Sequence, residues 1–364
     1  MKSDPTIPAP PYPSDSGRTR DRPTVGFFVR IADPAQLEVL EFYRNDIESL
    51  RAFGLQVQCI TRVRDLPRST PGFYYAWWFG FGFFAVAWAR LRARPCVLIG
   101  NVHTEDGRGL EGWPLHKRVL MKLALRFATA TIFTSRTEIE RLGPTRPSHP
   151  HVVYHAVDLD RHRPRQTPRE ETIVAITQLT RENLRRKLVL ESLEAFAIFR
   201  RAHPRHRFVL IGQHGSGLVD VERRIDALGL RGAVDLTGRI DTNRKLEILQ
   251  SATAYLQPSL CEGFGLAILE AQACGCPVVT NREPCIVEVN QSAVLYGDDP
   301  QAWAEQLSRL SDDVALWEEM RRRGLANAGR FADAGRRTAL RAILTEAGFP
   351  DPVTPGAGVL QSRH

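Results

Sequence analysis

The stretch "LCEGFGLAILEAQACG", residues 260–275, places Glu262 and Glu270 eight positions apart, with Gly263 and Gly265 between them. Acids are costly to bury unless something pairs with them. On an ideal helix eight residues advance about 12 Å along the axis, so the two carboxylates cannot share one metal or one proton. They can hold two separated parts of an elongated ligand. The glycines let backbone N–H groups approach closely, and the start of the helix that follows favours negative charge. Carboxylate, anion-binding turn, helix, carboxylate: the order suits a ligand with hydroxyls at both ends and phosphate in the middle.

Around this segment the chain alternates strand and helix. "TIVAIT", "RFVLIG", "AVDLTG", "TAYLQP" and "PVVTN" read as strands, with helices such as "KLVLESLEAFAIFRRA" and "NRKLEILQSA" between them. The first half does the same with "TVGFFVRI", "LQVQCI", "CVLIGNV", "ATIFTS" and "HVVYHA". Such alternation implies parallel sheets covered by helices. Apolar content collapses over 156–172, which reads as a linker. The expected fold is therefore α/β, two Rossmann-like doubly wound domains facing across a cleft. Its expected divisions are a disordered leader 1–22, a first domain 23–165, a second domain 166–345 and a flexible tail 346–364. In such sheets ligands bind beyond the carboxyl ends of the strands.

Across 364 residues the apolar fraction is 43%, the charged fraction 25% and the formal charge +8. These values fit a soluble globular protein with an anionic partner, and they do not choose among a phosphorylated small molecule, an anionic membrane and nucleic acid. No nucleic-acid motif is visible, so nucleic acid is not an expected partner. The six cysteines lack metal-binding spacing, which suits a reduced, cytoplasmic setting. Asp158 and Asp160 form a D-x-D pattern, but it falls in the linker and is set aside as a metal site.

Two segments raise the question of a membrane. Ser69–Ala89 carries no charge and is dense in aromatic residues, and it meets the length test for a spanning helix. Its glycines, its proline and the flanking strands favour burial in the core or shallow insertion at a bilayer surface. The segment 114–127 sets Lys117 or Arg118, Lys122 and Arg126 along one face, with Leu115, Val119, Leu123 and Leu125 near the other. That pattern suits either an ordinary surface helix or a membrane surface. Peripheral contact through 73–92 and 114–127, on the inner face of the membrane, is the corresponding expectation.

The segment "PSLCEGFGLAILEAQACGCPVVTN" resembles the E-x7-E segment of the family 4 retaining glycosyltransferases, which have the two-domain GT-B fold. "VDLTGRID", "RENLRRKLVLESLEAF", "VVYHAVDLDRHRP" and "VLIGNVHTEDG" are similar to further family segments, so the resemblance covers about residues 90–330. It implies a retaining transfer of sugar from a nucleotide-diphosphate sugar to a hydroxyl acceptor, lipid-linked or polysaccharide, with no metal or other cofactor. Carried over by position, Glu270 would bind the ribose, Glu262 the transferred sugar and Lys187 the diphosphate, while His103 would sit over the sugar. Gly263, Phe264, Gly265, Leu266, Gly238 and Arg239 complete the implied donor site. Where the family commonly has Gly-Arg this chain has Thr177 and Gln178, so Arg181 stands in by proximity. The double glycine often found after the first strand is missing from "RIADPAQLE". A nucleotide-amino-sugar 2-epimerase of the same fold and a non-enzymatic basic binding module are the alternative readings.

Overall fold

The computed structural model describes residues 22–102 and 109–350. The leader expected over 1–22 lies outside them apart from Arg22, as does the tail beyond residue 350.

Two six-stranded parallel sheets organise the chain. The first comprises β1 (Thr24–Phe28), β2 (Gln56–Ile60), β3 (Phe73–Trp77), β4 (Cys96–Gly100), β5 (Ala130–Phe133) and β6 (Pro150–Val152), in the order β2-β1-β3-β4-β5-β6. The second comprises β7 (Glu170–Ile176), β8 (Arg207–Ile211), β9 (Val234–Gly238), β10 (Ala252–Leu256), β11 (Val278–Thr280) and β12 (Leu295–Tyr296), in the order β12-β11-β10-β7-β8-β9. Helices cover both faces, so central strands such as β4 and β10 are buried at every position and need apolar residues without alternation. Strand order reverses between β1 and β3 and between β7 and β10. Crevices open beyond the strand ends at such switch points.

The aromatic stretch is core rather than membrane. Phe73–Trp77 is β3, which pairs with β1 on one side and β4 on the other; Tyr74, Tyr75 and Trp77 are fully buried. Within 73–92 only the far end of the helix Gly82–Leu91 and the residue after it are well exposed, at Arg90, Leu91 and Arg92. No helix among the described residues is long and apolar enough to cross a membrane.

The helix Asp333–Glu346 lies within 166–345 but for its last residue, yet packs on the first sheet. Leu340, Ile343 and Leu344 join Val25, Phe27, Tyr75 and Trp77 in one apolar cluster. Phe349, inside the range assigned to the tail, is buried and stacks on Phe73 with ring centroids 4.8 Å apart. A buried ion pair fixes this return. The Arg336 guanidinium donates to Asp46, whose other oxygen accepts from Tyr75 Oη at 2.9 Å and Trp77 Nε1 at 3.0 Å. The chain thus crosses between domains twice. Val157 N–H in the first crossing donates to the Phe331 carbonyl in the second at 3.0 Å, and Val157 bridges in parallel to Ala332.

Candidate active site

At the second switch point the chain leaves β10 at Leu256 and runs through Gln257, Ser259 and Glu262 into a glycine turn. Gly265 adopts φ +84° immediately before the helix Leu266–Ala273, a left-handed conformation that favours glycine. Gly263 is needed for a different reason: a Cβ there would lie 2.4 Å from Asn101 Nδ2, at the end of β4 in the first domain.

The Glu262 carboxylate is buried and densely partnered. It accepts from Lys187 Nζ, from Ser259 Oγ at 2.9 Å and from Gln257 Nε2 at 3.4 Å, and Arg186 Nη1 lies 3.6 Å from its second oxygen. Tyr255 Oη in turn donates to Gln257. Burial alone would raise its pKa, but the charges of Lys187 and Arg186 more than offset this and hold it at about 2. Such a carboxylate stays ionised at neutral pH and is a weak base.

Glu270, one turn into the helix, accepts from Lys245 Nζ at 2.8 Å. Glu41 from the first domain and His162 from the linker each bring one ligand atom within 4.8 Å of it and of each other. Burial and the neighbouring Glu270 carboxylate push Glu41 up to about 7. A metal could be held by this trio, but cations already surround it. Lys245 bonds Glu270, and Arg44 and Arg161 stand 3.4 Å and 3.9 Å from Glu41.

Residues 161–328 match the family described as Glycosyl transferases group 1. Over that segment the chain is similar to this family. It is 37% identical over 109 residues to the D-inositol 3-phosphate glycosyltransferase of Corynebacterium urealyticum, covering 28% of this chain and 26% of that protein. It is 28% identical over 213 residues to D-inositol 3-phosphate glycosyltransferase 2 of Catenulispora acidiphila, covering 54% of this chain and 50% of that one. The chain therefore spans between a quarter and a half of these curated relatives. Among solved structures, Anabaena Alr3699/HepE in complex with UDP and glucose superposes with a TM-score of 0.72 at 17% identity, covering 88% of this chain and 99% of that one. Sucrose-phosphate synthase from Thermosynechococcus elongatus gives 0.72 at 16% identity, with 89% and 99% covered. The chain shares the GT-B fold of these structures.

Within this fold the structure brings together Lys187, Glu262, Gly263 and Gly265. His103 lies outside the described residues. Arg181 does not join the cluster: its side chain is 73% exposed, and Nε lies 3.3 Å from Asp220 on the neighbouring helix. Arg186 takes the expected place beside Glu262, donating also to the Cys261 carbonyl at 3.4 Å. The reason is local geometry. The short helix Arg181–Arg186 ends at Lys187, and Leu188 turns left-handed at φ +46°, which directs the end of the basic run toward β10. Phe264 is buried away from the turn's open side, packed on Tyr154, His155 and Phe331. Leu266 packs partly on the same cluster. Gly238, at φ +66°, accepts Gly212 N–H at 3.1 Å at the end of β9, and Arg239 beyond it is exposed. Asp158 accepts from the backbone of Asp160 and Arg161, a turn-stabilising role.

Sequence reading missed the groups that the first domain contributes: Glu41, Asn101, Thr134 and Arg141. Thr134 Oγ1 lies 3.0 Å from the Gly263 carbonyl and 2.7 Å from Asn101 Oδ1. Glu288 accepts from Arg136 N, Thr137 N, Thr137 Oγ1 and Tyr154 Oη at 2.7–2.9 Å, pinning the second domain to the first.

Proposed function

We propose that the chain is a retaining glycosyltransferase that moves a sugar from a nucleotide-diphosphate sugar to a hydroxyl acceptor on a phosphorylated, lipid-linked or polysaccharide substrate. The observation that carries this reading is the buried Lys187–Glu262 pair beside a glycine turn at the switch point of the second sheet, with Glu270 in the helix that follows. HepE holds UDP and glucose, which supports a uridine nucleotide sugar as the first donor to test. Lys187 and Arg186 would place fixed positive charge at the departing diphosphate, where it stabilises developing negative charge without reorganisation. Glu270 would accept from ribose hydroxyls and Glu262 from the sugar. A carboxylate held at about 2 by its partners suits hydrogen-bond acceptance from the sugar, not proton removal or nucleophilic attack. A donor phosphate oxygen would take the acceptor proton during same-face substitution. Domain closure would exclude water from the departing sugar.

A thermal-shift panel of UDP, GDP and their sugars tests the donor reading, because a ligand at one hundred times its dissociation constant adds about 2.7 kcal/mol. A clear rise in melting temperature with one nucleotide is expected. No shift with any of them, alongside tight binding of DNA at moderate salt, would remove the enzyme reading. Transfer of label to an acceptor separates it from epimerisation, which yields free nucleotide without one.

The same reading includes a membrane-facing surface on the first domain. On the helix Leu115–Phe127, Met121, Ala124 and Leu125 face the core, which moves Leu125 off the outer face. Leu115, Val119, Leu123 and Phe127 form an exposed stripe beside Arg118, Lys122 and Arg126. Arg90 extends the patch, donating to the Phe127 carbonyl at 3.0 Å. Apolar and basic stripes side by side match an anionic bilayer surface. The protein should sediment with phosphatidylserine-containing vesicles but not with neutral ones, and Leu123→Glu should abolish it. Equal binding by that variant would rule out this surface.

A further inference from the structure

Arg141 stands in the first domain, just after the helix Arg136–Glu140, yet its guanidinium reaches the Glu262 turn of the second. Nη1 donates to the Glu262 carbonyl at 2.6 Å and to Glu138 Oε1 at 2.8 Å, and Nη2 donates to Glu283. The other Glu138 oxygen accepts the Val102 backbone N–H at the end of β4. Glu283 closes the circuit. Its carboxylate accepts from Arg141 and from Ile286 N at 3.0 Å. The Glu262 carbonyl is thus gripped by an arginine of the opposite domain that is itself held between two carboxylates, one from each domain. All three side chains are buried or nearly so, with relative exposures of 16% for Arg141, 0% for Glu138 and 2% for Glu283. A fork-shaped donor reaching several fixed acceptors imposes an orientation that a single ammonium does not.

We infer that Arg141 is a positioning residue that clamps the backbone of Glu262 and couples the sugar-binding turn to the end of β4 in the first domain. The role assigned to Glu262 rests on the glycosyltransferase reading; the clamp itself does not. The Lys187 contact sets where the carboxylate points, whereas Arg141 sets where its main chain stands. Loss of the fork should leave the ribose carboxylate Glu270 and its Lys245 partner in place. The expected signature is therefore a split, with nucleotide binding retained and use of the sugar impaired.

The test compares wild type with Arg141→Met and Arg141→Lys. Amide hydrogen exchange on the unliganded proteins should show the 258–268 segment exchanging about ten- to a hundredfold faster in Arg141→Met, the range expected when charge-assisted hydrogen bonds are lost. Segments of the second sheet such as β8 should keep their protection, and Arg141→Lys should fall between the other two. With UDP as probe, affinity should stay within about threefold, while acceptor-free hydrolysis of UDP-glucose falls at least tenfold at unchanged KM. Uniformly faster exchange over the whole chain in both variants would reduce Arg141 to a general structural contact and overturn the inference. So would unchanged exchange over 258–268, or unchanged UDP-glucose turnover. If wild type binds neither UDP nor UDP-glucose, the donor reading fails separately, and the exchange comparison still decides whether the clamp exists.

Discussion

Replacing Lys187 by alanine should lower turnover of a nucleotide sugar by about 10²–10³-fold, the loss seen when one preorganised charge-stabilising donor is removed. Glu262→Gln should change affinity for the free nucleotide by less than about threefold, because the proposed partner of its carboxylate is the sugar and not the nucleoside. The ion pair complicates the first measurement. Taking away Lys187 leaves the buried Glu262 with Ser259, Gln257 and an arginine 3.6 Å away. Breaking a buried pair from one side costs about 3–5 kcal/mol, enough to unfold part of the sample. The double variant Lys187→Met with Glu262→Gln separates the two effects. It should recover melting temperature relative to Lys187→Ala, since the buried carboxylate no longer stands without its lysine and Arg186 keeps its Cys261 and Asn183 acceptors, yet stay slow. Equal losses in turnover and in nucleotide binding for both single variants would contradict the roles assigned to the two residues.

Asp46→Ala should cost about 3–5 kcal/mol, the largest stability effect expected of a single substitution here. Arg336 would be left as an uncompensated charge, because Asp46 is its acceptor and both side chains are almost wholly enclosed, at 3% and 0% exposure. Tyr75 and Trp77, both fully buried, would also lose their acceptor. Arg336→Met should cost less, since Asp46 keeps two donors and the replacement fills the space with apolar atoms. Urea unfolding monitored by tryptophan fluorescence would read both. An Asp46→Ala midpoint within experimental error of wild type would show that the pair does not hold the last helix to the first domain.

The two sheets were legible because strands enclosed on both faces read as unbroken apolar runs, as Cys96–Gly100 and Ala252–Leu256 do. The glutamate pair was legible because glycines and acids together are hard to explain as packing. Other features leave little local trace. Four basic residues lie within 181–187, and nothing in their spacing tells Arg181 from Arg186; the left-handed turn at Leu188 decides it, at a residue type that rarely adopts it. An amphipathic pattern marks Asp333–Glu346 as a helix but does not say which of two sheets it covers, and Arg336 sits where burial favours an apolar residue. Arg141 and Glu283 are 142 positions apart, so their meeting depends wholly on how the domains face each other.

The paired crossings at Val157 and Phe331 also limit how this molecule can move. Two backbone links lashed together at one point act as a single hinge pin. Swinging about that pin would ask for small dihedral changes in the links together with release of the Glu288 and Arg141 contacts, whereas sliding or separating the domains would strain both links at once. Along that swing the mouth between the two switch points would widen or narrow.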